Sequence, residues 1–338
     1  MGSYLIPPVY AAFVWWFSTG AVLLLVGRGS GGVLKVIAAA ALLLAGLYGV
    51  AVSADDASVG GAYAAFTGTV LLWGAQEIAF LAGWVTGPRA ERCPEGARGL
   101  RRLGLALQAI LYHEAALLAC GAAVAGLTWS AGNQVALWTF AALWVLRQSA
   151  KINLFLGVPV TNDELMPEPV QFLKTFFARK PVSGFFPLSV TLAIAALVIM
   201  IQRIAEVAGT PFEIVSLTLV STLFALGVVE HWFMLLPLPA LTLWGWGMRS
   251  QVSEDSTMQQ GPESKPASSI APPSASPQLV VISGARPEPA PVKPRPIGAR
   301  QRLEDEFRQH FLETHPRSDL VTALHLDPEP AATINGRT

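Results

Sequence analysis

A chain of 338 residues with 52% apolar letters, 14% charged letters and a mean hydropathy of +0.47 is too apolar for a water-soluble domain of that size. A formal net charge of zero gives no basic excess with which to hold nucleic acid, although the total averages a nearly uncharged apolar part with a polar tail. Only Cys93 and Cys120 are present, one in a polar loop and one in mid-segment, which excludes a disulfide framework and a metal site built from cysteine alone.

Apolar windows of about 20 residues, each able at 1.5 Å rise to cross ~30 Å of hydrocarbon, recur seven times. They run near Leu5 to Val26, Val33 to Val52, Gly60 to Val85, Leu103 to Leu127, Gln134 to Lys151, Phe185 to Gln202 and Ile214 to Leu236. The fifth is broken at its end by Arg147 and Lys151. The first has no Lys or Arg before it and no small-residue cleavage site after it, so it reads as a span rather than a signal peptide. The expected fold is therefore all-α: a polytopic membrane helix bundle of about seven transmembrane helices. Arg28 and Lys35, then Arg89, Arg92, Arg98, Arg101 and Arg102, then Lys174, Arg179 and Lys180 fall in loops on one side, whereas the alternate connections hold a single Arg. The positive-inside rule then puts the N-terminus outside and the C-terminus in the cytoplasm.

Against that apolar background, Ile110 to Glu114 reads Ile-Leu-Tyr-His-Glu and places His113 and Glu114 inside a span. A charge near the bilayer centre costs from ~3 to over ~10 kcal/mol depending on the reference, so such residues are functional-site candidates by default. Gln76 and Glu77, Arg147 and Lys151, and Glu230 and His231 stand in comparable positions. Counted along their helices from the cytoplasmic side, Glu77 lies roughly 12 Å deep, His113 roughly 15 Å and Glu230 roughly 9 Å. All fall in the cytoplasmic half, as the members of one polar pocket would.

Two chemistries fit this set with a recognisable pattern, and proton conduction through the carboxylates is a third that leaves no distinct signature. The carboxylates and cations can be interhelical ion pairs that fix the bundle, and Arg147 and Lys151, four apart near a membrane end, are placed to snorkel to headgroups as readily as to pair. Alternatively, His113 or His231 can ligate iron, zinc or the magnesium of a chlorophyll-type ring while Glu77, Glu114 and Glu230 orient the imidazole. The Glu-x-x-His pattern of di-iron carboxylate proteins is missing from every span, which weakens a di-metal oxidase.

Smaller features complete the reading. Cys93 followed by Pro94 reads as a loop turn rather than a haem contact. Phe172, Leu173, Phe176 and Phe177, with Lys174, Arg179 and Lys180 alongside, suggest an interfacial amphipathic helix on the cytoplasmic leaflet; a partner-docking helix would have the same pattern. Trp129, Trp244 and Trp246 suit an aromatic belt, whereas Trp15 and Trp16 lie deeper and pack against lipid or neighbours. Residues 1 to 250 form the transmembrane domain. Beyond it, 251 to 297 read as a Pro-rich disordered linker and 299 to 313 as a short amphipathic helix carrying Leu303, Phe307 and Phe311.

Phe13 to Gly20 (FVWWFSTG), Thr86 to Arg102 (TGPRAERCPEGARGLRR), Ile110 to Glu114 (ILYHE), Ser149 to Val158 (SAKINLFLGV) and Glu230 to Pro239 (EHWFMLLPLP) resemble the photosynthetic complex assembly protein 2 family. Its members are encoded with reaction-centre and bacteriochlorophyll genes in purple phototrophic bacteria. The resemblance spans roughly residues 1 to 250, and it implies a multi-pass protein of the bacterial photosynthetic membrane that aids assembly of the reaction centre and core antenna or adjusts their pigment supply. The implied partners are those subunits or pigment-synthesis enzymes, together with the lipid bilayer. The family brings no catalytic residues, so a non-catalytic role is expected, with transient handling of bacteriochlorophyll or a precursor at His113 or His231 and a polar pocket of Glu77, Glu114, Arg147 and Glu230. A membrane metalloenzyme or regulatory subunit of bacteriochlorophyll synthesis and a purely structural scaffold are the alternatives. Residues 251 to 338 depart from the short C-terminus of that family.

Overall fold

The computed structural model describes residues 2–27, 32–206, 208–236 and 243–246, all within the first of the chain's two units, Met1–Lys265. The expected linker at 251–297 and helix at 299–313 lie outside the described residues. Seven helices follow in order: α1 (Gly2–Gly27), α2 (Gly32–Ser53), α3 (Val59–Leu81), α4 (Gly99–Thr128), α5 (Val135–Leu156), α6 (Phe185–Glu206) and α7 (Pro211–Phe233). Among the described residues there is no strand, only an isolated bridge between Val158 and Arg179. The protein is an all-α polytopic membrane bundle.

Six of these helices are long and apolar enough to cross a membrane; α5 falls outside that set and has a physical reason to. It packs against α3, α4, α6 and α7, and its exposed large apolar residues, Trp138, Val145, Ile152 and Leu156, form one narrow outward line. A helix sheltered by apolar neighbours can carry Arg147, Gln148, Lys151 and Asn153 on its inner faces. It also continues beyond Lys151, where the sequence suggested an end. At the other extreme α4, 30 residues and so ~45 Å long, exceeds the hydrocarbon thickness. Its first turns project past the bundle, and Leu100 is 86% exposed.

The closest helix pair is α2 and α3, and glycine allows it. A Cβ at Gly46 would sit 2.7 Å from the Gly68 carbonyl oxygen and 2.8 Å from Leu72 N, while one at Gly68 would meet Gly46 O and Val50 N at 3.0 Å. Without a hydrophobic drive in lipid, such backbone contact is what holds transmembrane helices together. Gly46→Val should therefore cost about 1–3 kcal/mol through overpacking. Gly74→Ala, whose new Cβ would meet only Leu42 Cδ1 at 3.8 Å, should leave the thermal midpoint of the purified protein in detergent unchanged. Equal midpoints for the two variants would contradict this packing.

Each end of the bundle is tied by polar contacts. Where the α2–α3 and α4–α5 connections meet, Asn133 is fully buried. Its side chain donates to Ser53 O at 3.0 Å and Asp56 O at 3.1 Å, its backbone N–H donates to Ala54 O at 2.9 Å, and its Oδ1 accepts from Val135 N at 3.0 Å. That satisfies the groups burial would otherwise penalise.

At the opposite end the α3–α4 and α5–α6 connections form a cap. Arg102 donates to Phe155 O at 3.1 Å and Phe176 O at 2.5 Å while its guanidinium lies 4.3 Å from the centroid of the Phe155 ring. Arg179 pairs with Asp163 at 2.5 Å, and Thr161 donates to the same carboxylate oxygen at 2.7 Å. Partial burial works to raise the Asp163 carboxyl, but these hydrogen bonds outweigh it and hold the group below its ordinary range.

The cap corrects one expectation. Residues Glu168–Phe176 form a 3-10 segment, not an α-helix, with Pro169 in its first turn. Its apolar side chains Val170, Leu173 and Phe176 are buried against Phe80 and Ala109, so they cover the ends of α3 and α4 rather than entering a leaflet. Trp244 and Trp246 are a second correction. Trp244 is buried, donates to Trp16 O at 3.1 Å and packs edge-on to Trp15, while Trp246 stacks on Phe17. Both fold back onto α1, where Gly20 leaves room for the Trp246 ring. Trp129 remains exposed at the end of α4. Cys93 lies in a loop turn, its N–H donating to Thr175 Oγ1 at 2.8 Å.

Candidate functional site

Five helices bring polar side chains to one level inside the bundle. From α3, Glu77 accepts from Arg147 of α5 at 3.0 Å. From α4, Glu114 accepts from Gln148 at 2.6 Å and pairs with Lys151, both on α5. From α7, Glu230 accepts from Trp15 Nε1 of α1 at 2.6 Å. Arg147 also faces the Glu230 and Glu114 carboxylates, which makes it the hub of the set. Lys151 is thus paired inside the bundle and Arg147 is held by Glu77, so neither snorkels as its spacing alone allowed. The six candidates Glu77, His113, Glu114, Arg147, Glu230 and His231 fall within Coulombic range of one another through this hub.

Adjacent residues on a helix diverge by ~100°, and the structure uses that divergence. His113 lies on the buried stripe of α4 with Ala109, Leu117, Cys120, Val124 and Thr128, facing α3, whereas Glu114 turns to α5. On α7, His231 turns to α5 and Glu230 to α1.

The two histidines differ in one decisive respect. His231, 2% exposed, has its Nδ1 at 2.7 Å from Gly227 O and its Nε2 at 2.8 Å from Ser149 Oγ. The carbonyl can only accept, so Nδ1 carries the hydrogen, and Nε2 shares a hydrogen bond with the serine hydroxyl. Both nitrogens are engaged in holding α7 to α5. His113, 1% exposed, has neither ring nitrogen hydrogen-bonded among the described residues. Its ring lies 4.2 Å from that of Phe80 with an interplanar angle of 27°. The neighbouring Glu77 keeps one buried carboxylate oxygen, Oε1, without a partner among the described residues. Unpaired buried polar groups are rare and costly; here three such atoms sit on two facing helices.

The α3–α4 connection closes over this spot. Thr86, buried, accepts a hydrogen bond at 3.0 Å from the backbone N–H of His113. Gly87 lies against the carbonyls of Gln108 and Ala109, so close that a Cβ would overlap them. The loop thus wedges against α4 one turn before the unpartnered imidazole.

Of the two candidate ligands, His113 alone has ring nitrogens without a hydrogen bond among the described residues, and it lies in a closed interior. A planar macrocycle could reach it only if Phe80 or the Thr86–Gly87 wedge moved. Among the described residues no three His, Cys, Asp or Glu side chains converge as a metal-binding set. Sequence reasoning missed Trp15, Phe80, Thr86, Gln148 and Ser149 as parts of the site. Trp15 did carry a signal, since a deep indole N–H needs an acceptor, and Glu230 was an unassigned acceptor; the others are ordinary residues whose roles depend on which helices meet.

A protein of Rhodobacter capsulatus described as "Uncharacterized 30.4 kDa protein in puhA 5'region" is 40% identical to this chain over 243 residues, covering 70% of this chain and 88% of that protein. No solved structure matches the chain. The family model described as "Protein of unknown function (DUF3623)" matches residues 1–255, which takes in all seven helices and every residue of the site. The chain belongs to that family.

Proposed function

We propose that this protein is a non-catalytic assembly factor of the bacterial photosynthetic membrane, acting on the reaction centre and core antenna by transiently holding a bacteriochlorophyll-type pigment or precursor at His113. Support for the photosynthetic role comes from the Rhodobacter relative, whose gene lies in a photosynthesis gene region. Support for the pigment reading rests on one structural observation, the buried imidazole of His113 with both nitrogens unpartnered. A neutral imidazole at His113 could ligate the magnesium of such a pigment once Phe80 or the Thr86–Gly87 wedge moved, and the nearby Glu77 carboxylate would be the group to orient the imidazole. His231 serves instead to join α7 to α5. In this reading the basic-loop end of the bundle faces the cytoplasm.

Deleting the gene in a phototrophic host tests the role itself. The near-infrared bands of the reaction centre and core antenna should fall in isolated membranes, with no defined tetrapyrrole precursor accumulating. Accumulation of one precursor would favour an enzyme of pigment synthesis, and unchanged bands would remove the assembly role.

A further inference from the structure

The helix that should shield the inner face of α4 stops short of it. Phe80, beside the end of α3 at Leu81, stacks on the imidazole of His113, yet α4 runs on from His113 back to Gly99, ~21 Å of further helix. Irregular backbone fills the gap. Cys93 of the α3–α4 connection and Val170, Leu173 and Phe176 of the cap form one cluster with Leu105, Ala106 and Ala109, and Thr86 and Gly87 reach the level of His113 itself. Non-helical chain at membrane depth is tolerated only where protein buries it or where it lines a cavity. Here it is buried at one point, because Thr86 is the one buried residue in 82–98. Within 86–92 the Thr86 carbonyl, accepting from the His113 N–H at 3.0 Å, makes the one hydrogen bond to the bundle among the described residues. Anchors lie on either side. The Trp84 and Val85 N–H groups donate to Ala79 O at 3.0 and 3.2 Å, and the Cys93 N–H donates to Thr175 Oγ1 at 2.8 Å, while Arg89 pairs with Glu91 of the same segment.

The bond to Thr86 has a ready substitute. A mid-helix N–H ordinarily donates to the carbonyl four residues back, so the His113 N–H can pass to Ala109 O when Thr86 leaves. Opening then exchanges one backbone hydrogen bond for another, which costs little. Glycines with positive φ stand at both ends of the segment, Gly83 at 78° and Gly96 at 77°, where the chain turns through conformations that other residues resist. We propose that residues 86–92 are a strap that gates His113. Seated, Thr86 and Gly87 close the space beside the imidazole; lifted, they open it toward the end of the bundle that carries Arg89, Arg92 and Arg98. The motion stands on the contacts of the strap alone, and only the identity of what enters rests on the pigment reading above.

Labelling of a single thiol in the purified full chain with N-ethylmaleimide tests it. One reporter carries Cys93→Ser, Cys120→Ser and His113→Cys, which puts the thiol behind the strap and keeps the backbone N–H. The other carries Cys93→Ser alone and reports on Cys120, 8% exposed on the same buried stripe of α4 and about two turns farther along. Gly87→Ala, whose Cβ would fall 1.9 Å from Gln108 O, unseats the strap and should speed labelling at position 113 about tenfold, the shift that losing one hydrogen bond produces. Thr175→Ala, at an exposed residue, frees the far anchor without touching the core and should give a smaller rise. Should Gly87→Ala not fold, Thr175→Ala decides alone. A rise at position 113 in a folded variant, with Cys120 unmoved, bears the gate out whether or not a pigment binds. Equal rates at position 113 with and without these substitutions would overturn it, as would a rise shared by Cys120, which marks a general loosening of the bundle.

Discussion

Arg147→Met should destabilise the bundle more than any other single change in the polar cluster, by roughly 3 kcal/mol. The substitution fits the space but leaves Glu77, Glu114 and Glu230 with Lys151 as their one remaining cation. Breaking a buried pair from the cationic side strands an anion in a medium that cannot solvate it, and the upper part of the usual range is not reached because the Arg147 side chain retains 41% exposure against 12% for Glu77. Glu77→Gln should be milder. It leaves Arg147 facing two other carboxylates, so the charge is not orphaned. In the double variant Glu77→Gln with Arg147→Met, most of the loss should be recovered, because replacing both partners by neutral groups removes the desolvation cost as well as the attraction. Thermal unfolding of the three purified variants in detergent, followed by loss of the monodisperse peak, measures the order. A double variant as unstable as Arg147→Met would show that Arg147 acts through contacts other than these carboxylates.

The same residues show how much of the protein was legible beforehand. The helices were, because a 20-residue apolar window has few other physical uses and lipid leaves the backbone no alternative to internal hydrogen bonding. That Glu77, His113, Glu114 and Glu230 lie in the same half of the membrane was also legible, since helical rise alone put them at similar depths; whether the six candidates meet was not, because it depends on how the helices pack. Nor was partner choice. Lys151 looked like a membrane-end charge because its sequence neighbours suggested an ending; its neighbour in space is Glu114, and α5 runs on to Leu156. Phe172, Leu173 and Phe176 have the spacing of an amphipathic helix whether lipid or protein covers them, and only the ends of α3 and α4 decide that protein does. Trp244 and Trp246 read as interfacial because interfacial tryptophans are common; their place against α1 depends on Gly20 and on the backbone of Trp16. The difference between the two histidines was likewise invisible, because it rests on Ser149 and the Gly227 carbonyl reaching the nitrogens of one ring and, among the described residues, no hydrogen-bond partner reaching those of the other.

That difference leads to the second large effect. His113→Ala should abolish pigment-protein assembly in the complemented deletion strain while the chain accumulates to its normal level. Among the described residues the imidazole makes no hydrogen bond that the fold would lose, and the cost of the cavity beside Phe80 is offset by removing two unsatisfied polar atoms from the interior. His231→Ala should behave oppositely. Its loss leaves Ser149 Oγ and Gly227 O without their partners at the α5–α7 contact, so abundance should fall, and assembly should fall in proportion to it. The measurement that decides the matter is the near-infrared absorption of membranes from these two strains, normalised to the amount of chain present. Loss of the reaction-centre and core-antenna bands in His113→Ala at wild-type abundance is the result predicted here. Full bands in His113→Ala would contradict it and leave the buried cluster as a device for holding the helices together.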